Sequence, residues 1–123
     1  MNRERVQRIV LIFVGLLFLA ATIPGVMFFS SEPSVPMLMS LYVTLGIFLL
    51  LAARNPAAHR SLIAYAGWAN VAHAGVMALQ EYWHLIQPRE LIGIIMFGII
   101  GIALIAMAPA KEAAKHVSAA NAA

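Results

Sequence analysis

Four stretches of this sequence are long and apolar enough to cross a lipid bilayer as helices. A helix needs about 20 apolar residues to cross the roughly 30 Å hydrocarbon layer. The four stretches run over residues 9–29, 37–53, 62–82 and 91–108. Each is separated from the next by a short segment that contains proline, which stops or starts helices. The sequence therefore predicts an all-α, multi-pass membrane protein, a bundle of four transmembrane helices that forms one domain over residues 1–123.

The composition argues against an ordinary soluble domain. The chain is 63% hydrophobic and 11% charged, whereas soluble domains are about 45–50% apolar and about 25% charged. A soluble domain of 123 residues could not bury so much apolar surface, because small domains keep much of their surface in water. The chain contains no cysteine, which excludes disulfides, thiolate metal ligands and thiol nucleophiles.

The basic residues predict the orientation in the membrane. Cytoplasmic loops of membrane proteins carry an excess of lysine and arginine. One side of the predicted membrane collects seven basic residues: Arg3, Arg5, Arg8, Arg54, Arg60, Lys111 and Lys115. The other side has only Arg89. We therefore expect both ends of the chain in the cytoplasm, with residues 109–123 as a cytoplasmic tail. No compact basic patch remains outside the spans, so we expect no nucleic-acid partner.

Polar side chains on the third span form the candidate binding site. At 100° per residue they fall within a stripe roughly 100° wide, which we name the polar seam: Asn70, His73, Met77, Gln80, Glu81 and His84. Polar groups are costly in lipid, so the seam is expected to face the bundle interior or a neighbouring subunit. A rise of 1.5 Å per residue places Asn70 and His73 near the midplane. Gln80, Glu81 and His84 are expected at the outer interface.

Two interpretations of Asn70 and His73 stay open. In the first, the seam holds a small molecule, proton or cofactor, His73 titrates or ligates, and Asn70 donates or accepts hydrogen bonds. Tyr42 and Thr44 of the second span would then reach it, although Tyr42 equally fits an interfacial tyrosine. In the second, Asn70 and His73 only fix helix packing, through interhelical contacts that average about 0.6 kcal/mol.

The cofactor is left open between none, haem and a quinone. Haem needs a second axial ligand, and the other spans contain no histidine. His73 would have to pair with Met39 or Met96, although methionine in a helix is more often packing material. His73, Glu81 and His84 are too spread along one helix for a metal site. The sequence contains no recognisable catalytic set or nucleotide-binding motif, which favours a protein that is not an enzyme.

Several residues predict close packing and a helix irregularity. Small residues that let helices approach each other occur at Ala21-x-x-x-Gly25, at Ala74-x-x-x-Ala78, and at Gly98 and Gly101. Pro24 is expected to kink the first helix near its outer end.

The turn between the second and third spans is basic and contains four candidate residues: Arg54, Pro56, His59 and Arg60. We interpret the turn as a topology anchor that also meets anionic lipid headgroups. A docking point for a partner protein is the alternative.

The segment over residues 45–78 contains the turn Arg54-Asn55-Pro56-Ala57-Ala58-His59-Arg60 and the helix Ala72-His73-Ala74-Gly75-Val76-Met77-Ala78. It resembles a family of small bacterial four-helix membrane proteins of unknown function. The architecture is also similar to the broader DoxX-like group, whose members have been linked to redox complexes as membrane subunits. The resemblance implies a location in the bacterial inner membrane and brings no established activity. The matched positions are Arg54, Pro56, His59, Arg60, His73 and Met77.

These observations predict a non-enzymatic inner-membrane protein, either an accessory subunit of a larger complex or a self-associating bundle. Its partners would be the lipid bilayer and either a membrane protein complex or a second copy of the chain. The alternative is a binding or redox module that holds a quinone, haem or small apolar ligand in the polar seam. A small transporter is a further alternative, although the spans hold no acidic residue near the midplane to couple a proton or cation.

Overall fold

The computed structural model describes residues 2–109 and 119–121. Its α-helices are α1 (Arg3–Leu19), α2 (Thr22–Met27), α3 (Ser34–Ala52), α4 (Arg60–Tyr82) and α5 (Leu91–Met107). Short 3-10 turns, Pro56–His59 and Pro88–Glu90, lead into α4 and α5. The predicted tail beyond residue 109, with Lys111, Lys115 and His116, lies outside the described residues, except that residues 119–121 are helical.

The helices form four stretches long and apolar enough to cross a membrane. They contain 25, 19, 27 and 20 residues when α2 is counted with α1 and each 3-10 turn with the helix that follows it. The prediction of an all-helical chain with four apolar helices is therefore confirmed, over the part of the chain that the structure describes.

α1 begins well before the predicted span because its first turn is capped. The side-chain oxygen of Asn2 accepts a hydrogen bond from the backbone N–H of Glu4 at 2.7 Å, which satisfies one free donor of the first turn. Glu4 and Arg8 form an exposed ion pair at 2.7 Å, one turn apart. Such a pair adds about 0.3 kcal/mol to a helix. Local polar contacts thus extend the helix from Ile9, where the predicted span starts, back to Arg3.

α1 and α2 are separated by an interruption at Ala20 and Ala21. Pro24 has no N–H to donate to the Ala20 carbonyl one turn earlier. That carbonyl instead accepts from the Ile23 N–H at 3.0 Å, and the Ala21 N–H donates to Phe18 at 3.0 Å. Both bonds span three residues, the tighter 3-10 spacing. The irregularity predicted from Pro24 is therefore present, one turn before the proline.

The chain divides into two compact units, residues 1–59 and residues 60–123. In the first unit, α1 and α2 pack against α3. In the second unit, α4 packs against α5. Each unit is thus a helical hairpin with a short connection. The single domain expected over residues 1–123 stays a prediction.

Each unit has a pair of glycines at which the backbones of its two long helices lie close together. A Cβ atom on Gly15 would lie 3.0 Å from the carbonyl oxygen of Gly46, and a Cβ on Gly46 would lie 2.8 Å from that of Gly15. Gly67 and Gly101 of the second unit show the same two distances. A side chain at any of these positions would force the backbones apart. Gly101 makes the predicted close contact, whereas a Cβ on Gly98 has no neighbour within 4 Å.

Each long helix buries a narrow stripe and exposes apolar side chains elsewhere. On α1, for example, the buried residues recur every three or four positions from Gln7 to Phe18. Large apolar side chains on the remaining faces are exposed, among them Phe13 at 65%, Ile92 at 75% and Ile102 at 66%. Such a surface is typical of helices that meet lipid rather than water.

Candidate functional site

Asn70 occupies the centre of the buried stripe of α4. Its side chain is only 1% exposed, and Nδ2 donates to the Ala66 carbonyl oxygen at 2.7 Å. This bond fixes the orientation of the amide, because the reversed orientation would place two acceptor oxygens against each other. Oδ1 is buried and accepts no hydrogen bond from the residues described. An unmet buried acceptor costs about 1–3 kcal/mol, so this oxygen needs an explanation.

His73 lies one turn further along α4 and packs against an aromatic residue of α5. The ring centroids of His73 and Phe97 are 4.5 Å apart, and the rings are tilted by 41°. His73 is half-buried. The second unit therefore places the imidazole of His73 beside a flat apolar ring, one helical turn from Asn70.

Met77 and Glu81 continue the polar seam towards the end of α4. The Met77 Cε atom lies 3.2 Å from the position of a Cβ on Gly93, so a flexible side chain fills the space beside this glycine. Gln80 and Glu81 are half-buried. Glu81 Oε2 is buried and has no hydrogen-bond partner in the described part of the chain. The seam thus carries two unmet acceptors, on Asn70 and Glu81, about 16 Å apart along the helix axis.

His84 lies outside the helical stripe to which the sequence assigned it, because α4 ends at Tyr82. It has a left-handed backbone, with φ of 55°. Its N–H donates to the Glu81 carbonyl at 2.9 Å, and the Leu85 N–H donates to the Gln80 carbonyl at 2.8 Å. These two bonds form a Schellman motif, which satisfies carbonyls at a helix C-terminus. His84 thus terminates α4 and is exposed to the surroundings.

The two candidates from the second predicted span lie on α3 in the first unit. The Tyr42 ring packs edge-on against Phe18, with centroids 5.0 Å apart. Thr44 is exposed, and its hydroxyl donates to the Ser40 carbonyl oxygen of its own helix at 2.9 Å. A hydroxyl has a single proton to donate, so that of Thr44 is already used within α3. Tyr42 thus packs α3 against α1, and Thr44 bonds within its own helix. The contact of either residue with the polar seam stays a prediction.

In the basic turn, Arg60 makes a contact that the sequence did not reveal. Its Nε donates to the backbone oxygen of Pro109 at 2.9 Å, which connects the start of α4 to the residues just after α5. Cationic side chains near helix C-termini stabilise the last carbonyls. Arg54 and His59 are exposed, whereas Pro56 is fully buried. Arg60 therefore stabilises the second unit, whatever part it has in topology.

Gln7 is a buried polar residue that the sequence analysis overlooked. It is 6% exposed and lies on the same stripe of α1 as Leu11, Val14 and Phe18. The signal was available in this spacing of three or four residues, since a polar residue in register with a buried stripe is itself expected to be buried.

Two other features of the described residues are weaker candidate sites. In the described ranges, no group of three or more histidine, cysteine or acidic side chains is placed to hold a metal ion. An open groove in the first unit is lined by Phe29, Pro33, Pro36 and Met37. None of its lining residues is charged, so the polar seam remains the better candidate.

Comparison with known proteins supplies a family. No curated protein and no solved structure matches the chain. A family of unknown function, DUF6632, matches residues 4–115, a range that includes both the basic turn and the polar seam. The prediction of an uncharacterised family is confirmed, while the likeness to the DoxX-like group and the bacterial origin stay predictions. Because the match covers most of the chain, the protein belongs to the DUF6632 family of unknown function.

Proposed function

We propose that the protein spans the bacterial inner membrane four times, with both ends in the cytoplasm. The observation that carries this proposal is the exposed apolar surface of four helices that are long enough to cross a bilayer. Exposing such side chains to water costs about 25 cal/mol per Å² of apolar surface, whereas lipid removes that cost. The excess of basic residues at the ends and in the turn after α3 supports the orientation.

Single cysteines test this topology, because the natural chain has none. We would introduce Ser31→Cys, between α2 and α3, and Ala58→Cys, in the turn before α4, and label intact cells with an impermeant maleimide. Ser31→Cys should be labelled in cells with a permeable outer membrane, and Ala58→Cys only after the inner membrane is opened. The reverse pattern would overturn the orientation, and equal labelling of both would overturn the number of spans.

Within the membrane we propose a non-catalytic role, as an accessory subunit or as a self-associating protein. The support is that the described chain is almost entirely helical, with only short connections between helices. Such a protein has little surface outside the membrane with which to act on soluble substrates. The resemblance of the sequence to the DoxX-like group, which stays a prediction, adds an analogy to membrane subunits at the level of fold alone.

Native mass spectrometry after purification in mild detergent tests this role. An accessory subunit should appear with unrelated chains in a fixed ratio. A homo-oligomer alone would overturn the accessory role and support self-association. A bare monomer under the same conditions would overturn both.

A second candidate function is a module that holds a small ligand, such as a quinone, haem or another apolar molecule, in the polar seam. Two buried acceptors without partners among the described residues, Asn70 Oδ1 and Glu81 Oε2, favour it. Extra mass that survives activation would support this function, and the absorbance spectrum would distinguish haem from a colourless ligand. His73→Ala should then lose the extra mass while keeping its helicity. Equal retention by this variant would place the ligand elsewhere.

A further inference from the structure

We propose that the polar seam takes an apolar aromatic ligand that carries a hydroxyl group, and that Asn70 Oδ1 accepts the hydroxyl hydrogen. The inference rests on the ligand-holding role proposed for the seam, and it adds the chemical class of the ligand. A phenol is the simplest member of that class.

The requirement for a donor follows from the amide of Asn70. Nδ2 already donates to Ala66, so the group left without a partner is an oxygen, which only accepts hydrogen bonds. At the other end of the seam, the unmet atom is a carboxyl oxygen of Glu81. A ketone or ether offers only further acceptors and would leave Asn70 Oδ1 unmet. A hydroxyl satisfies it.

The surroundings of Asn70 select an apolar, flat molecule. One turn towards Arg60, the contact between Gly67 and Gly101 brings the two backbones together and leaves no room. One turn in the other direction, the rings of His73 and Phe97 offer an aromatic surface for stacking. The ligand is therefore placed between the glycine contact and this ring pair.

Met77 is the side chain that has to move for such a ligand to enter. Asn70 Oδ1 is buried, so the ligand must displace something on its way from the far end of α4. Met77 lies between Glu81 and His73 on the seam, and its terminal methyl carbon lies 3.2 Å from the position of a Cβ on Gly93. Methionine has three rotatable bonds and adapts easily. Entry thus requires a rotamer change and leaves the glycine contact intact.

The test compares 4-fluorophenol with its methyl ether 4-fluoroanisole, in which a methyl group replaces the donor hydrogen, by fluorine NMR titration of the purified full-length protein in detergent. Each affinity is corrected for the partition of the probe into empty micelles, because the ether is also the more apolar molecule. The natural protein should bind the phenol about tenfold more tightly, the factor that one satisfied buried acceptor supplies. Asn70→Leu, which keeps the branched shape without the acceptor, should bind both probes equally. Equal affinities in the natural protein would overturn the proposal.

A measurement on the natural protein guards against a misfolded variant. The chain contains four asparagines, Asn2, Asn55, Asn70 and Asn121, so selective nitrogen-15 labelling of asparagine gives four side-chain amide signals. The phenol should shift the Asn70 signal and leave the other three in place. If none of the asparagine signals shifts, or if all four shift alike, the result contradicts the proposal. A copurified molecule in the seam, without tighter binding of the phenol than of the ether, would mean that the ligand class is wrong and that the ligand-holding role stands. If no copurified molecule is found and the phenol does not bind more tightly, both the ligand class and the ligand-holding role fail.

Discussion

Gly101 and Gly67 face each other across the α4–α5 contact so closely that a Cβ on Gly101 would lie 2.8 Å from the Gly67 carbonyl oxygen. It would also lie 2.9 Å from the Val71 backbone nitrogen. Because these neighbours are backbone atoms, no rotamer change relieves the overlap. The two helices would have to separate.

We therefore expect Gly101→Ala to destabilise the second unit by about 1–3 kcal/mol. Gly98→Ala on the same helix is the matched control, since nothing lies within 4 Å of its Cβ position. The control should leave stability unchanged or raise it by up to about 1 kcal/mol, because alanine is the better helix former. Unfolding by sodium dodecyl sulfate in mixed micelles measures both. Equal effects would mean that the contact is unimportant.

The first unit gives an independent version of this experiment. A Cβ on Gly46 would lie 2.8 Å from the Gly15 oxygen and 3.2 Å from the Leu19 nitrogen. Gly46→Ala should lower stability by about 1–3 kcal/mol. Gly25→Ala, whose nearest neighbour is the Met39 Cβ at 3.3 Å, should cost less. A milder effect at Gly46 than at Gly25 in the same unfolding assay would contradict the role of the contact.

Asn70 is expected to be dispensable for folding. Asn70→Leu removes the unmet oxygen, whose burial without a partner costs about 1–3 kcal/mol, and loses the bond to Ala66, which contributes about 1 kcal/mol. The two effects oppose each other, so the variant should be nearly as stable as the natural protein or more stable. Asn70→Asp keeps the shape and adds a second acceptor oxygen, so it should lower stability. Thermal unfolding of the ligand-free protein distinguishes the two variants. A large loss for Asn70→Leu would show that Oδ1 has a partner in the working protein.

The left-handed backbone of His84, with φ of 55°, costs conformational free energy, because side chains other than glycine disfavour it. His84→Gly should therefore stabilise the protein by about 1 kcal/mol, whereas His84→Val should destabilise it, because a β-branched residue tolerates this conformation poorly. Gln87→Gly is the control, because Gln87 has an extended backbone, with φ of −77°, and glycine there gains nothing. Should His84→Gly lower the thermal midpoint instead, the side chain must do more than end the helix.

Variants of Arg60 and Arg54 distinguish the loss of a hydrogen bond from the loss of a positive charge. Arg60→Ala should destabilise the second unit by about 1 kcal/mol, because the Pro109 oxygen loses its donor. Arg54→Ala removes the same charge from the same turn, at an exposed residue, and should have little effect on stability. Hydrogen exchange at the end of α5 would locate the difference. Equal exchange in both variants would assign Arg60 to topology alone.

Length and hydropathy were enough to predict the helices, because the thickness of a bilayer fixes how long an apolar helix must be. The predicted end of the third span, residue 82, coincides with the end of α4. Burial of Asn70 was also predictable, since a polar group in the middle of a long apolar helix is expected to face the protein interior.

The close contacts were not predictable in the same way. The small residues of Ala74-x-x-x-Ala78 predict a close contact, yet Ala74 is buried and Ala78 is exposed. The glycines that do meet, such as Gly15 and Gly46, lie on different helices, and neither helix alone shows which glycine will find a partner. Likewise, whether the Asn70 side-chain oxygen finds a donor depends on the carbonyl oxygen to which its amide nitrogen donates. That choice is made only when the helix has formed.

The division of the chain into two hairpins has a consequence for how the protein is made. The glycine contact of the first unit, and the packing of α1 and α2 on α3, lie wholly within residues 1–59. Once residues 1–59 have left the ribosome, all the residues of this hairpin are therefore present, while α4 and α5 are still to be synthesised. The helices of the first unit can therefore pack together before α4 and α5 have been synthesised.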